Sequence, residues 1–197
     1  CKHLDVSEIE VRTRESEDVK KYLQSREFQK VEVPFPQEFV EIRVLLKRIF
    51  DSKVDELRSR NLLFGAANKI TLLKLQNSLA MRYTNSRDFN AMNGMSLTAQ
   101  AIKISHALEL LETQTLLGLK NYMDGLIQQA KDKKSRAVQN LVKINEFNAA
   151  IISIAQLLAK KIEHPKIEEC AVIVEEQFRD KQDSKIIVFT QFRESAL

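Results

Sequence analysis

Three stretches of this chain gather cations densely enough to hold a polyanion. The tightest is Lys131-Asp132-Lys133-Lys134-Ser135-Arg136, placed where one long amphipathic segment should end and the next begin. Lys120, Lys131 and Lys134 fall near multiples of three and four residues, so a helix would set them along one side, where ammonium groups can neutralise phosphates. The plain alternative is a solvated helix end whose lysines complement the macrodipole. The second set is Lys69, Lys74, Arg82 and Arg87, with Asn85, Ser86 and Asn90 close by as neutral hydrogen-bonding groups. Arginine can clasp a phosphate with two parallel hydrogen bonds, although ordinary surface charge would read the same way. The third set, Lys47, Arg48, Lys53, Arg58 and Arg60, is interleaved with Asp51, Asp55 and Glu56. That alternation is the pattern of exposed ion pairs within a helix, worth a few tenths of a kcal/mol each.

Other chemistries find no such support. His3, His106 and His164 have no partner at metal-ligand spacing, and Cys1 and Cys170 stand at opposite ends without a CxxC pair. His106 falls inside an amphipathic stretch and reads as packed or hydrogen bonded. Glu109 with Glu112, and Glu175 with Glu176, read as exposed helical charge. No nucleophile, base and orienting group assemble, and there is no GxxxxGK[ST] phosphate loop, DEAH-type box or QxxGRxGR arginine motif. No catalytic residue, metal site or resident cofactor is therefore expected within these residues. The 197 residues are 44% hydrophobic, with a formal net charge of +4 and a pI near 9.0. That is enough apolar content for a real core and only a mild basic excess. No apolar run approaches the roughly 20 residues that span a bilayer, and no signal-like start is seen, so no membrane partner and a cytoplasmic location are expected, nucleoid-associated in a prokaryote.

The elements that must position these cations are read as mainly α, a multi-helix bundle with a few short β-strands contributed by the terminal segments. Four glycines, three prolines and no tryptophan leave too few turn signals for an all-β fold. Residues 9–13 and 31–35 alternate as short half-buried strands would. From Pro36 the period becomes helical, with Phe39, Ile42, Leu46, Ile49, Val54 and Leu57 on one face to about Arg60. Asn68 caps a second helix running to about Thr84. The polar segment from Asn85 to Gly94 reads as a loop, with Ser96 capping the helix that follows. Thr113-Gln114-Thr115 breaks that helix and restarts it, and one long helix is expected from about Ser135 to Lys161. His164-Pro165 ends it, a helix follows from Ile167 to Gln182, and Ile186-Ile187-Val188-Phe189-Thr190 has the composition of a strand buried on both faces. A lone buried strand at one end suggests a piece of something larger.

The wording around that last run, "KIIVFTQFRESA", resembles the opening of the second RecA-like lobe in superfamily 2 helicases, most nearly those of the archaeal Hef and eukaryotic FANCM group. RIG-I-like RNA helicases are a step further away. "DVSEIEVRTRESEDVKKYL" resembles the tail of the first lobe, and "VEVPFPQEFVEIRVLLKRIF" with "AIKISHALELLETQTLLGLKNYMDGL" resembles the helical insert between the lobes. The resemblance covers nearly the whole chain in order. It implies residues 1–35 as the end of the first lobe, 36–163 as a thumb-like insert and 164–197 as the start of the second lobe. It further implies forked or branched DNA and the RecA-like motor lobes of the same polypeptide as partners. ATP and magnesium are implied for the parent helicase alone. Thr190, Gln191 and Arg193 would follow the strand on the nucleic-acid side. A spacer or protein-docking role, or double-stranded RNA as the ligand, is the alternative.

Overall fold

The computed structural model describes residues 8–23 and 28–189. Cys1–Glu32 and Val33–Leu197 are separate compact units. In the first, the short helix α1 (Glu17–Lys20) follows a turn in which the Thr13 amide donates to Ser16 Oγ at 3.0 Å, and Arg12 reaches Asp18 at 3.0 Å.

The second unit is a helical bundle. A 3-10 turn, Gln37–Phe39, leads into α2 (Val40–Ser59), followed by α3 (Lys69–Ser86), α4 (Phe89–Thr113), α5 (Leu116–Lys131), α6 (Arg136–Leu141), α7 (Asn145–Ala159) and α8 (Pro165–Asp180). α2 packs against α4 and α7, α3 against α4, and α5 against α4, α6 and α7. Two apolar clusters result. One gathers Phe39, Ile42, Leu46, Ile104, Leu119, Met123 and Phe147, and the other gathers Val54, Leu57, Leu62, Leu72, Leu79 and Ala101. α2 and α4 contribute to both, and Phe50 packs against each. Gly94 sits where α4 meets the second cluster: a Cβ there would lie 2.5 Å from Leu62 Cδ1 and 3.0 Å from Leu79 Cδ1.

Three helices end on the same backbone device. At Asn61, Lys133 and Lys161 the chain takes φ of 54, 53 and 58°. The amide of the next residue then reaches back five positions: Leu62 to the Leu57 carbonyl at 3.0 Å, Lys134 to Gln129 at 3.2 Å, Ile162 to Leu157 at 3.0 Å. This satisfies carbonyls that a helix end leaves open, at left-handed positions that favour glycine.

The mainly helical expectation holds, and three details differ. The expected strands are absent among the described residues: 9–13, 31–35 and 186–189 join no ladder. A strand exists through its neighbour's hydrogen bonds, which β-branched composition cannot supply alone. Ile187, Val188 and Phe189 are 75, 63 and 89% exposed rather than buried, and Thr190 lies outside the described residues. The supposed loop before Ser96 is helical from Phe89, because Asp88 caps α4 by accepting from the Asn90 and Ala91 amides at 2.8 and 3.2 Å. The single helix expected from Ser135 to Lys161 is broken at residues 142–144, where the Asn148 side chain donates to both the Val142 and Ile144 carbonyls at 3.1 Å. No described helix is long and apolar enough to cross a membrane.

Candidate nucleic-acid interface

Positive charge accumulates in two places: residues 57–87, where Arg58, Arg60, Lys69, Lys74, Arg82 and Arg87 occur with no carboxylate between them but four of the six pair with acids outside that span, and the α5–α6 corner. At the corner, residues 131–136 carry four cations, Lys131, Lys133, Lys134 and Arg136, against the single carboxylate of Asp132, and a fifth, Lys143, follows past the other end of α6. All five are exposed. Lys131 closes α5, Lys133 takes the left-handed position and Ser135 precedes α6, so a tight turn presents successive cations rather than a helical row. Lys134 Nζ pairs with Asp132 at 3.0 Å, and the Gln128 amide adds a 2.8 Å hydrogen bond. Lys134, with help from Gln128, holds the Asp132 carboxyl below its usual range, against the opposing effect of burial. Such an exposed pair is worth little and exchanges readily for a phosphate.

Lys120 stands apart from that corner. It lies eleven residues before Lys131 on α5, about 16 Å along the axis, and is paired with Asp124 one turn on. The sequence-predicted side of Lys120, Lys131 and Lys134 is therefore not one cluster, since Lys134 lies past the helix end. Lys143 is a cation that sequence reasoning missed, and its signal was the local charge balance rather than a motif.

Lys69, Lys74, Arg82 and Arg87 are spread along α3. Lys69 opens the helix and meets Glu109 of α4 at 2.9 Å; Arg82, near its other end, meets Asp88 at 2.6 Å. Lys69, then His106, holds the Glu109 carboxyl low, with burial opposing. Arg87 ends α3 at φ 51° with its guanidinium 5.5 Å from the Tyr83 ring centre. Lys74 is exposed and has no ion pair among the described residues. Lys69 also lines a groove of about 620 Å³ with Arg43 and Lys47, but Glu109 and Glu112 share it. The α2 cations behave as their alternation indicated: Lys47 with Asp51 at 3.1 Å, Arg58 with Asp55 at 3.5 Å, Arg60 with Glu56 at 2.8 Å.

His106 packs edge-on against Tyr122 and approaches Glu109 at 3.4 Å. Burial pushes the Tyr122 hydroxyl up to about 12. No group of three or more His, Cys, Asp or Glu able to hold a metal occurs among the described residues. Thr190, Gln191 and Arg193 lie outside them.

These helices define a mainly α-helical bundle with an exposed cationic turn between α5 and α6. The family model described as "Putative ATP-dependent RNA helicase, helical bundle" matches residues 38–163, and the chain belongs to that family. It is 26% identical, over 99% of its length, to the "Putative ATP-dependent RNA helicase" of Methanocaldococcus jannaschii, covering 24% of that protein. It is 25% identical, over 98% of its length, to the ATP-dependent DNA helicase mph1 of Aspergillus oryzae, covering 19% of it. Among solved structures it resembles the Hef helicase domain of Pyrococcus furiosus, at 30% identity and a TM-score of 0.75, over 99% of this chain and 41% of that one. The chain thus spans a quarter or less of the length of these two curated relatives.

Proposed function

We propose that this chain is the nucleic-acid-gripping insert of an ATP-dependent DNA helicase that acts on forked or branched DNA. The observation that carries the reading is the charge of the α5–α6 corner, where four exposed cations, Lys131, Lys133, Lys134 and Arg136, accompany one carboxylate. A turn that offers ammonium and guanidinium groups without an aromatic reading platform suits phosphate neutralisation and shape preference, with little base readout. The names of the DNA helicase relatives support DNA as the polymer. Residues 36–163 form the insert in this proposal, with 1–35 and 164–197 belonging to the adjoining RecA-like lobes. ATP and magnesium are handled by other segments of the helicase, in the cytoplasm.

The test is a titration of labelled fork, duplex and single-stranded DNA, with RNA duplex as competitor, at several salt concentrations. Four phosphate contacts give a slope of about −3.6 in log K against log salt, roughly a hundredfold loss of affinity between about 50 and 200 mM. Replacing Lys131, Lys133, Lys134 and Arg136 by alanine should remove most of that slope. Binding that ignores salt, or none at low salt, overturns the proposal; preference for the RNA duplex changes the polymer.

A further inference from the structure

The outer face of α3 carries an apolar stripe that nothing in the bundle covers. Leu72 and Leu79 are fully buried and fix the inward side of the helix. Ile70, Leu73, Asn77 and Met81 recur at spacings of three, four and four residues on the opposite side, and the three apolar members are 67, 47 and 68% exposed. From Ile70 to Met81 the stripe runs about 16 Å, three helical turns. Single exposed hydrophobics are ordinary, whereas an aligned row on one helix marks a surface built to meet something.

We infer that this face of α3 docks an acidic amphipathic helix of a partner protein. The charge around the stripe selects the partner. α3 contains Lys69, Lys74 and Arg82 and no carboxylate. Lys69 lies one turn before Leu73 and Lys74 one turn after Ile70, so ammonium groups flank the stripe on its two sides. Lys74 has no ion pair among the described residues, and the Lys69–Glu109 pair is half exposed and easily exchanged. A helix bearing apolar residues at the same spacing, edged by Asp and Glu, satisfies both the stripe and its flanks, as helix-in-groove recognition does.

Two other occupants fit worse. A second copy of this chain would set α3 against α3 and oppose cations to cations. A nucleic-acid strand brings phosphates for the lysines but nothing apolar for Ile70, Leu73 and Met81, and none of these offers the aromatic face on which bases stack. Lys69 and Lys74, which the sequence reads either as phosphate contacts or as ordinary surface charge, thus become the polar rim of a protein-docking face. That assignment is independent of the α5–α6 corner.

The experiment is a selection of displayed 16-residue helical peptides on the whole chain, counter-selected on the variant Ile70→Ser/Leu73→Ser/Met81→Ser. Circular dichroism and thermal melting check that the variant stays folded, as the exposure of these side chains requires. The expected winners carry apolar residues three and four apart with net negative charge, and lose at least about tenfold in affinity on the serine variant and on Lys74→Glu. Winners that are neutral or basic, or no winner dependent on the stripe, overturn the inference. Fork DNA run in parallel should bind the serine variant as well as it binds the parent chain; a tenfold loss there assigns the face to nucleic acid and overturns it too. Loss of DNA binding by the corner variant alone bears on the proposed function and leaves the docking face standing.

Discussion

Replacing Lys133 by glycine separates what that residue does for the fold from what it does for a ligand. Its φ of 53° lies in the left-handed region, where an L side chain costs about 1 to 2 kcal/mol. Glycine removes that cost but brings about 0.5 to 1 kcal/mol of extra chain entropy to be lost on folding. The difference leaves Lys133→Gly more stable by roughly 1 kcal/mol, a rise in Tm of about 2 to 4 °C for a chain of this size. The lost lysine also gave up some attraction to the C-terminal end of α5, so melting is followed near 1 M salt, where charges are screened within about 3 Å. Lys161→Gly is the matched control, because Lys161 closes α7 with the same pair of backward hydrogen bonds. Both variants should stabilise alike, but only Lys133→Gly should flatten the salt dependence of DNA binding, by about 0.9 in slope. A Lys133→Gly protein no more stable than its parent refutes the strain argument. One that gains stability with an unchanged salt slope refutes the role of the corner.

Two of the helical glycines, Gly94 and Gly125, should part company. Gly125→Ala in α5 meets no atom within 4 Å and should gain about 1 kcal/mol of helix propensity in urea unfolding, whereas Gly94→Ala must push Leu62 aside and should fall below wild type. A gain at both positions would show that the contact at Gly94 yields freely. His164 caps α8 by accepting from the Lys166 amide at 3.2 Å, and it is 2% exposed. Burial, then nearby Lys166, lowers its pKa, against the opposing pull of the Glu112 backbone and Glu163. The unfolded chain therefore takes up a proton that the folded one resists, so this stability is complete above about 6.5 and is lost as pH falls below it. Urea melts of wild type and His164→Asn from pH 8 to 5 should converge at the acid end; parallel curves would remove His164 from that role.

What the sequence made legible is what local hydrogen bonds decide. Asn68 was readable as the cap of α3 because its side chain needs only the Thr71 amide, 2.9 Å away; Thr115 likewise meets Gly118 at 2.9 Å. The Lys47–Asp51 and Arg60–Glu56 pairs follow from helical spacing alone. Lys69 could not be read so, since Glu109 is forty residues away in sequence and meets it only once α3 folds back on α4. The same limit hid the outer face of α3, because Ile70, Leu72, Leu73, Leu75, Leu79 and Met81 read as one apolar set until the structure buries Leu72 and Leu79 and leaves Ile70, Leu73 and Met81 exposed. The break between α6 and α7 escaped because it depends on one side chain, Asn148, reaching back over a full turn. The apolar run at 186–189 carried the composition of a strand without a neighbour to make it one.

α2 and α4 thread both apolar clusters, and α4 alone, at 25 residues, extends about 37 Å. Because the same two rods are clamped at either end by separate sets of side chains, neither cluster can loosen without loading the other. Truncating a large side chain in one cluster should therefore lower the stability of the whole bundle in a single unfolding transition rather than melt one end alone.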